Sequence, residues 1–383
     1  MKITHIAGSL ETLASGPSYT IPSTARATQS LGHDVDVMSV GEAGLDESGG
    51  FRHHQFQNDF INIPIMREFN ITHLMKKTLS IHVTDIIHNH GLWLMPNIYA
   101  SQAAHKNNIP LVITPRGMLA PQALKYSAKK KAIFKYLFQT RALKAVNLFH
   151  ATSEQEYKDI RNFGLRQPVV IIPNGIDIPV GIGSAKPKQE KPTKTLLFLG
   201  RIHPIKGLNN LIQAWQRIEN DFADWGLSIL GPGDKNYISA LKQLTSELGL
   251  ERVTFGGAVS GKDKIDQFRA ADLYILPSES ENFGITVAEA LSCETPVICT
   301  NGAPWSGLTQ NKCGWWISQD IDSLEMCLRT ALDTSTKTLT TMGKNGRLWM
   351  EKDFSWKNIS GQLADSYAWL LGRGQLPNNV YLD

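Results

Sequence analysis

The sequence is poor in cysteine: Cys293, Cys299, Cys313 and Cys327 are its four thiols. None forms a CxxC pair and none has a histidine at zinc-ligand spacing, so they read as buried thiols in a reducing cytosol. No apolar run reaches the roughly 18 residues of a transmembrane helix. The segment Met1–Leu13 carries one lysine and a short apolar run, and reads as a first strand rather than a signal peptide. Internal repeats and low-complexity tracts are absent. So is GxGxxG: the first strand leads into GSLETLASG, with no acid where a ribose partner would stand, which argues against a dehydrogenase. A formal charge of +4 is too modest to imply nucleic acid. Its distribution is uneven, however. Between Asp85 and Glu154 there is no acidic residue, while Lys106, Arg116, Lys125, Lys129, Lys130, Lys131, Lys135, Arg141 and Lys144 all fall there.

What is present is alternation. At 383 residues the chain exceeds one comfortable core, so two domains are expected. Strand patterns at Lys2–Ala7, Asp34–Val40, Asp85–Asn89, Leu111–Thr114, Asn147–Ala151 and Val169–Ile172 are separated by helical stretches near 19–31, 68–80, 96–106, 127–145 and 154–162. A second series follows at Thr195–Leu199, Leu227–Leu230, Val253–Phe255, Leu273–Leu276, Val297–Thr300 and Trp315–Ile317, again with helices between. Continuous β-branched runs alternating with helices imply parallel strands buried on both faces, hence two doubly wound α/β domains. Pro- and Lys-rich Ile182–Lys194 has linker composition, which places the domains at 1–178 and 179–354. The helical segment within 355–383, with Trp356, Tyr367 and Trp369, is expected to cross back onto the first domain. Ligands of such sheets bind beyond the carboxyl ends of the strands, so a cleft between domains is the expected site.

Two strand-end loops carry the chemistry. In Pro277–Glu289, PSESENFGITVAE, the acids Glu281 and Glu289 are separated by seven residues, with Asn282-Phe283-Gly284 between an apolar strand and a helix start. Backbone N–H groups and the helix dipole there suit an anion, and carboxylates suit sugar hydroxyls. In Gly200–Gly207, GRIHPIKG, Arg201 and Lys206 lie between another strand and helix. A guanidinium fork and a second point charge suit a diphosphate. Elsewhere His90 ends a strand, and His88 two residues before it reads as structural. A metal site from the two would need a third ligand, and the sequence offers none. Arg116, in the loop TPRGML, is an acceptor-side candidate. Asp34-Val35-Asp36 looks like a metal-holding DxD but sits inside an alternating strand, so it is set aside. Residues 123–146 mix lysines with Tyr126, Ile133, Phe134, Tyr136, Leu137 and Phe138, a composition that fits either a peripheral membrane contact or a solvated helix face.

Together GRIHPIKG, GPGD at Gly231–Asp234, PSESENFGITVAEAL, TPVICT and the upstream PNGID resemble the retaining GT-B glycosyltransferases of family 4, in the same order and over essentially the whole chain. The resemblance implies two Rossmann-like domains and transfer of a hexose from a nucleotide diphosphate sugar, a UDP-glucose or related UDP-sugar. The acceptor it implies is a saccharide or a lipid-linked molecule, in polysaccharide or glycolipid assembly in the cytoplasm. It implies no cofactor and no metal. By resemblance Arg201 and Lys206 hold the diphosphate, Glu289 takes the ribose, and Glu281 with the backbone of Asn282, Phe283 and Gly284 faces the donor sugar. Ile285 and Thr286 meet the phosphates, Gly257, Ala258 and Val259 meet the base, Gly16 belongs to the first phosphate loop, and His90 is a sugar-contacting catalytic residue. Asn282 replaces the family's usual glycine, and Ser15-Gly16-Pro17 replaces its usual Gly-Gly pair. A GT-B epimerase or hydrolase, and a non-catalytic nucleotide-sugar-binding protein, are the alternatives.

Overall fold

The computed structural model describes residues 1–10, 16–42, 50–180 and 193–382, and the side chain of Ile65 lies outside that description. The chain divides into two units: Met1–Gly175 with Trp356–Asp383, and Ile176–Ser355. Most of the segment expected to link them, 182–192, and Ser15 of the first loop lie outside the described residues.

The first unit is built on one eight-stranded sheet. Its strands are β1 (Lys2–Ser9), β2 (Asp34–Val40), β3 (Arg52–Phe56), β4 (Ile86–His90), β5 (Leu111–Thr114), β6 (Leu148–Ala151) and β7 (Val169–Ile171), joined late in the chain by a two-residue strand, Val380–Tyr381. The order is β3-β2-β1-β4-β5-β6-β7, with Val380–Tyr381 antiparallel at the β7 edge and all other pairings parallel. Apolar strand residues are buried because helices cover both faces. Ile6, Ile87, Ile113 and Phe149 pack on one side. Ile3, Ile86, Val112 and Leu148 pack on the other, under Ile359, Leu363 and Tyr367 of the helix Trp356–Leu370.

The second unit has six parallel strands, β8 (Lys194–Leu199), β9 (Trp225–Leu230), β10 (Val253–Gly256), β11 (Leu273–Leu276), β12 (Val297–Thr300) and β13 (Gly314–Ile317), in the order β10-β9-β8-β11-β12-β13. In each sheet the strand order reverses once, between β1 and β4 and between β8 and β11. At such a point neighbouring connections leave to opposite sides and open a crevice at the carboxyl ends.

Three departures from the expected elements have physical causes. β3 reads RHHQF, with no β-branched run to announce it. Polar cross-strand bonds hold it: Arg52 Nε and Nη2 each lie 2.9 Å from a carboxylate oxygen of Asp36, and His54 Nε2 lies 2.8 Å from Asp36 Oδ1. Arg52 also reaches Asp34 at 2.8 Å, so the two acids of the DxD are strand-pairing residues on one face. The helix expected over 68–80 is two pieces, Pro64–Arg67 and His73–Ile81, the second begun by Thr72, whose hydroxyl accepts from Met75 N. The helix expected over 127–145 is interrupted. Ala128–Phe134 and Thr140–Lys144 flank a π-helical turn, Lys135–Gln139, closed by Thr140 N–H to Lys135 O.

Candidate active site

In the second unit the loops after β8 and β11 are locked together. Gly207 has φ +69°, and a Cβ there would lie 2.1 Å from Pro277 O, so only glycine permits the approach. Glu279 N–H donates to Ile205 O at 2.8 Å across the same seam. The contact brings Lys206 onto Glu281, whose Oε1 also accepts from Ser278 Oγ at 2.7 Å. Arg201 is exposed on the β8 loop. Thus Lys206 and the first acid of the sequence motifs meet at the switch point, with Arg201 on the same loop.

Gly284, left-handed at φ +76°, starts the helix Ile285–Ser292, which has no side-chain cap. Val287 N–H donates to Gly284 O at 2.9 Å, which leaves the N–H groups of Ile285 and Thr286 and the positive end of the dipole to an anion. Phe283 is pinned behind this turn, its carbonyl accepting from Trp305 Nε1 at 2.5 Å and its ring 5.1 Å from the indole. Thr286 Oγ1 lies 2.6 Å from the Tyr274 hydroxyl, whose pKa burial pushes well up. Glu289 pairs with Lys264 at 2.5 Å through Oε1 only. Its Oε2 is buried with no partner among the described residues, and burial raises its pKa. Gly257 and Ala258 are exposed beyond the end of β10, with Val259 half-buried beside them. Lys264, Tyr274 and Trp305 lie outside the motifs, while Ser278 stands within the acidic one without having been singled out. Only their places, on a helix or beside a strand end, tie them to the site.

The first unit gathers its own candidates around β1, β4, β5 and β6. His88 and His90 share a face of β4, their ring centroids 4.2 Å apart, and His5 of β1 joins them. The bonds fix the tautomers, although His5 Nε2 is buried with no partner among the described residues. Arg116 Nη2 must donate to His90 Nδ1, 3.0 Å away, so neutral His90 carries its proton on Nε2 and gives it to His5 Nδ1 at 2.9 Å. His150 Nε2 donates to Ile172 O at 2.8 Å, so its Nδ1 accepts from Thr114 Oγ1 at 3.0 Å. Thr114 then accepts from His88 Nε2 at 2.7 Å, and His88 Nδ1 accepts from the Tyr367 hydroxyl at 2.6 Å. Burial above all, with Arg116 adding to it, lowers all four imidazoles, His5 to about 3 and His150 to about 4.

His90 is therefore placed at a strand end, as expected, but its ring is buried and both nitrogens are committed within the unit. His5 supplies the third histidine that the sequence did not offer for a metal. Nevertheless both His88 nitrogens and both His90 nitrogens serve other groups, and a guanidinium bonded to His90 opposes a dication. The trio reads as a hydrogen-bond network. Gly16 opens the helix Gly16–Ser30, and a side chain there would meet nothing within 4 Å. All four cysteines are free and buried. Among the described residues no helix is long and apolar enough to cross a membrane.

Two sheets of Rossmann order, with basic and acidic loops at a switch point, define the GT-B class of glycosyltransferase. Comparison with known proteins agrees over both units. Residues 183–349 match the family described as Glycosyl transferases group 1, and residues 15–179 match Glycosyltransferase Family 4. The chain belongs to the family 4 GT-B glycosyltransferases. It is 23% identical over 384 residues to a GDP-mannose:cellobiosyl-diphosphopolyprenol alpha-mannosyltransferase of Xanthomonas campestris, covering 97% of this chain and 98% of that one. Against a D-inositol 3-phosphate glycosyltransferase of Mycobacterium marinum it is 25% identical over 311 residues, 75% of this chain and 64% of that one. The structure of HepE from Anabaena in complex with UDP and glucose superposes with a TM-score of 0.76 at 20% identity, over 96% of this chain and 99% of that one.

Proposed function

We propose that the chain transfers a hexose, with retention at the anomeric carbon and without a metal, from a UDP-sugar of the UDP-glucose type to a saccharide or lipid-linked acceptor. The observation that carries this reading is the β8/β11 switch point: Arg201 and Lys206 on one loop, an uncapped helix N-terminus on the other, and the spare Glu289 Oε2 about one turn along that helix. Arg201, Lys206 and the amides after Gly284 receive the diphosphate, and Glu289 takes the ribose. Lys206 exchanges its partner Glu281 for phosphate, which frees that carboxylate to face the sugar. Gly257, Ala258 and Val259 border the base, and His90, its Nε2 proton already given to His5, contributes by holding the Arg116 guanidinium through Nδ1. Donors aimed at the leaving diphosphate are each worth roughly 2.7–4 kcal/mol in a water-poor site. UDP in the HepE complex supports the uridine choice, whereas the Xanthomonas relative is named for GDP-mannose.

That relative's diphosphopolyprenol acceptor supports a lipid-linked one here, in polysaccharide or glycolipid synthesis at the cytoplasmic membrane face. Consistent with this, Tyr126, Ile133, Tyr136 and Leu137 are exposed along the basic stretch. Calorimetry with UDP and GDP tests the donor site. Arg201→Ala or Lys206→Ala should abolish binding, and unchanged affinity in both sinks the assignment. Sugar transfer that stops in excess EDTA would overturn the metal-free reading.

A further inference from the structure

Arg116 is a different kind of cation from those of the second unit. Its guanidinium is enclosed, and every bond it makes is to a neutral acceptor: Nη1 to Thr20 Oγ1 at 2.9 Å and to Asn174 Oδ1 at 3.1 Å, and Nη2 to His90 Nδ1 at 3.0 Å. A guanidinium has five N–H donors. Two therefore remain, and one of them, Nε, is buried with no partner among the described residues. The nearest carboxylate, Glu156, does not meet them. Its Oε1 accepts from Gly117 N at 2.6 Å, and its Oε2 accepts from Thr152 N and Oγ1 at 2.7 and 2.8 Å.

Three further features bear on the same spot. Arg116 holds φ +59° and Gly117 follows at φ +73°, so a non-glycine residue is kept in the left-handed region to deliver this side chain. Thr20 fastens the guanidinium beside the first turns of the fifteen-residue helix Gly16–Ser30, whose first turn holds no acid. His90 is fixed by His5 as a lone-pair acceptor, so it orients the guanidinium without neutralising it. A strut tying Thr20, Asn174 and His90 together requires no charge, and a buried cation that among the described residues bonds no acid, and feels Glu156 only through space, is costly.

We propose that Arg116 is the anchor of an oxyanion site in the first unit, and that the acceptor carries a phosphate-type anion which the two spare donors receive. The word acceptor rests on the glycosyltransferase reading; the anion site does not. Thr20, Asn174 and His90 are positioning residues for the guanidinium, and His5 positions His90.

Inorganic phosphate is the probe, titrated by calorimetry at low ionic strength into the full chain carrying both Arg201→Ala and Lys206→Ala. One saturable site is expected. Adding Arg116→Gln should weaken it roughly 10- to 100-fold, the scale of a charge-assisted pair. Arg116→Lys, which keeps the charge and loses the fork, should weaken it less, and it carries the comparison if the Gln variant does not fold. Absence of saturable binding, or unchanged affinity in the Arg116 variants, overturns the site. A second titration into the unaltered chain saturated with UDP separates the sources. Phosphate still bound with Arg116 dependence supports an acceptor anion, whereas phosphate displaced by UDP assigns the site to the donor and overturns the acceptor claim. Failure of UDP itself to bind would refute the donor reading while leaving the first titration readable.

Discussion

At the scale of single residues, the second unit shows how much rests on one hydrogen atom. Gly207 lets the cationic loop touch the acidic one at Pro277 O. Gly207→Ala puts a Cβ into that carbonyl at a positive φ, and should cost about 2 kcal/mol or more. Chemical denaturation measures the loss, and a change under half a kilocalorie would show that the seam is slack. Glu289 offers a finer test. Its unpartnered Oε2 is an acceptor enclosed by protein, a poor arrangement unless a hydroxyl arrives. Glu289→Gln should weaken UDP by about tenfold, since a hydrogen bond to charge is replaced by one to an amide, while inorganic pyrophosphate keeps its affinity. Equal losses for both ligands would remove the ribose role.

At the scale of elements, strands and loops were more legible than the contacts between them. Apolar and β-branched residues located six of the first seven strands and all six of the second unit, because a strand buried on both faces is mostly apolar. β3 escaped because its pairing is ionic, and Val380–Tyr381 because two residues carry no period. The basic and acidic loops were legible as motifs, since each lies within one short segment. The histidine network was not: His88 and Tyr367 are 279 positions apart, and no local spacing encodes that bond. Nor does composition announce the π-helical turn at Lys135–Gln139, although Tyr136 and Leu137 lie exposed on it, with Lys135 seated 4.2 Å from the Phe163 ring centroid. This element makes its own prediction. Tyr136→Ser with Leu137→Ser should reduce sedimentation with vesicles containing anionic lipid. Lys125→Glu with Lys129→Glu should do so by about 1 kcal/mol per lost charge and in a salt-dependent way. Binding indifferent to both pairs would leave the stretch a solvated face.

At the scale of the whole molecule, titration is lopsided. His5, His88, His90 and His150 all lie in the first unit, buried and neutral, while His203 is the second unit's single histidine. Their folded pKa values are lowered, so the unfolded chain binds more protons, and stability rises with pH. The contribution is complete above the unfolded value near 6.5 and is lost as pH falls toward about 4 and 3 for His150 and His5. Each protonating imidazole adds up to about 1.4 kcal/mol per pH unit in that window. Urea unfolding followed from pH 7 to 4.5 should show the first unit's transition moving to lower urea while the second unit's hardly moves. Parallel shifts would contradict the assignment. The first unit is also discontinuous along the chain, and on the ribosome this sets an order of completion. All six strands of the second unit emerge before the helix Trp356–Leu370 and the strand Val380–Tyr381. Until they do, His88 has no phenol to accept from and β7 has an open edge, so the nascent first unit waits, incomplete and exposed to wrong pairing, for residues made after the whole second unit.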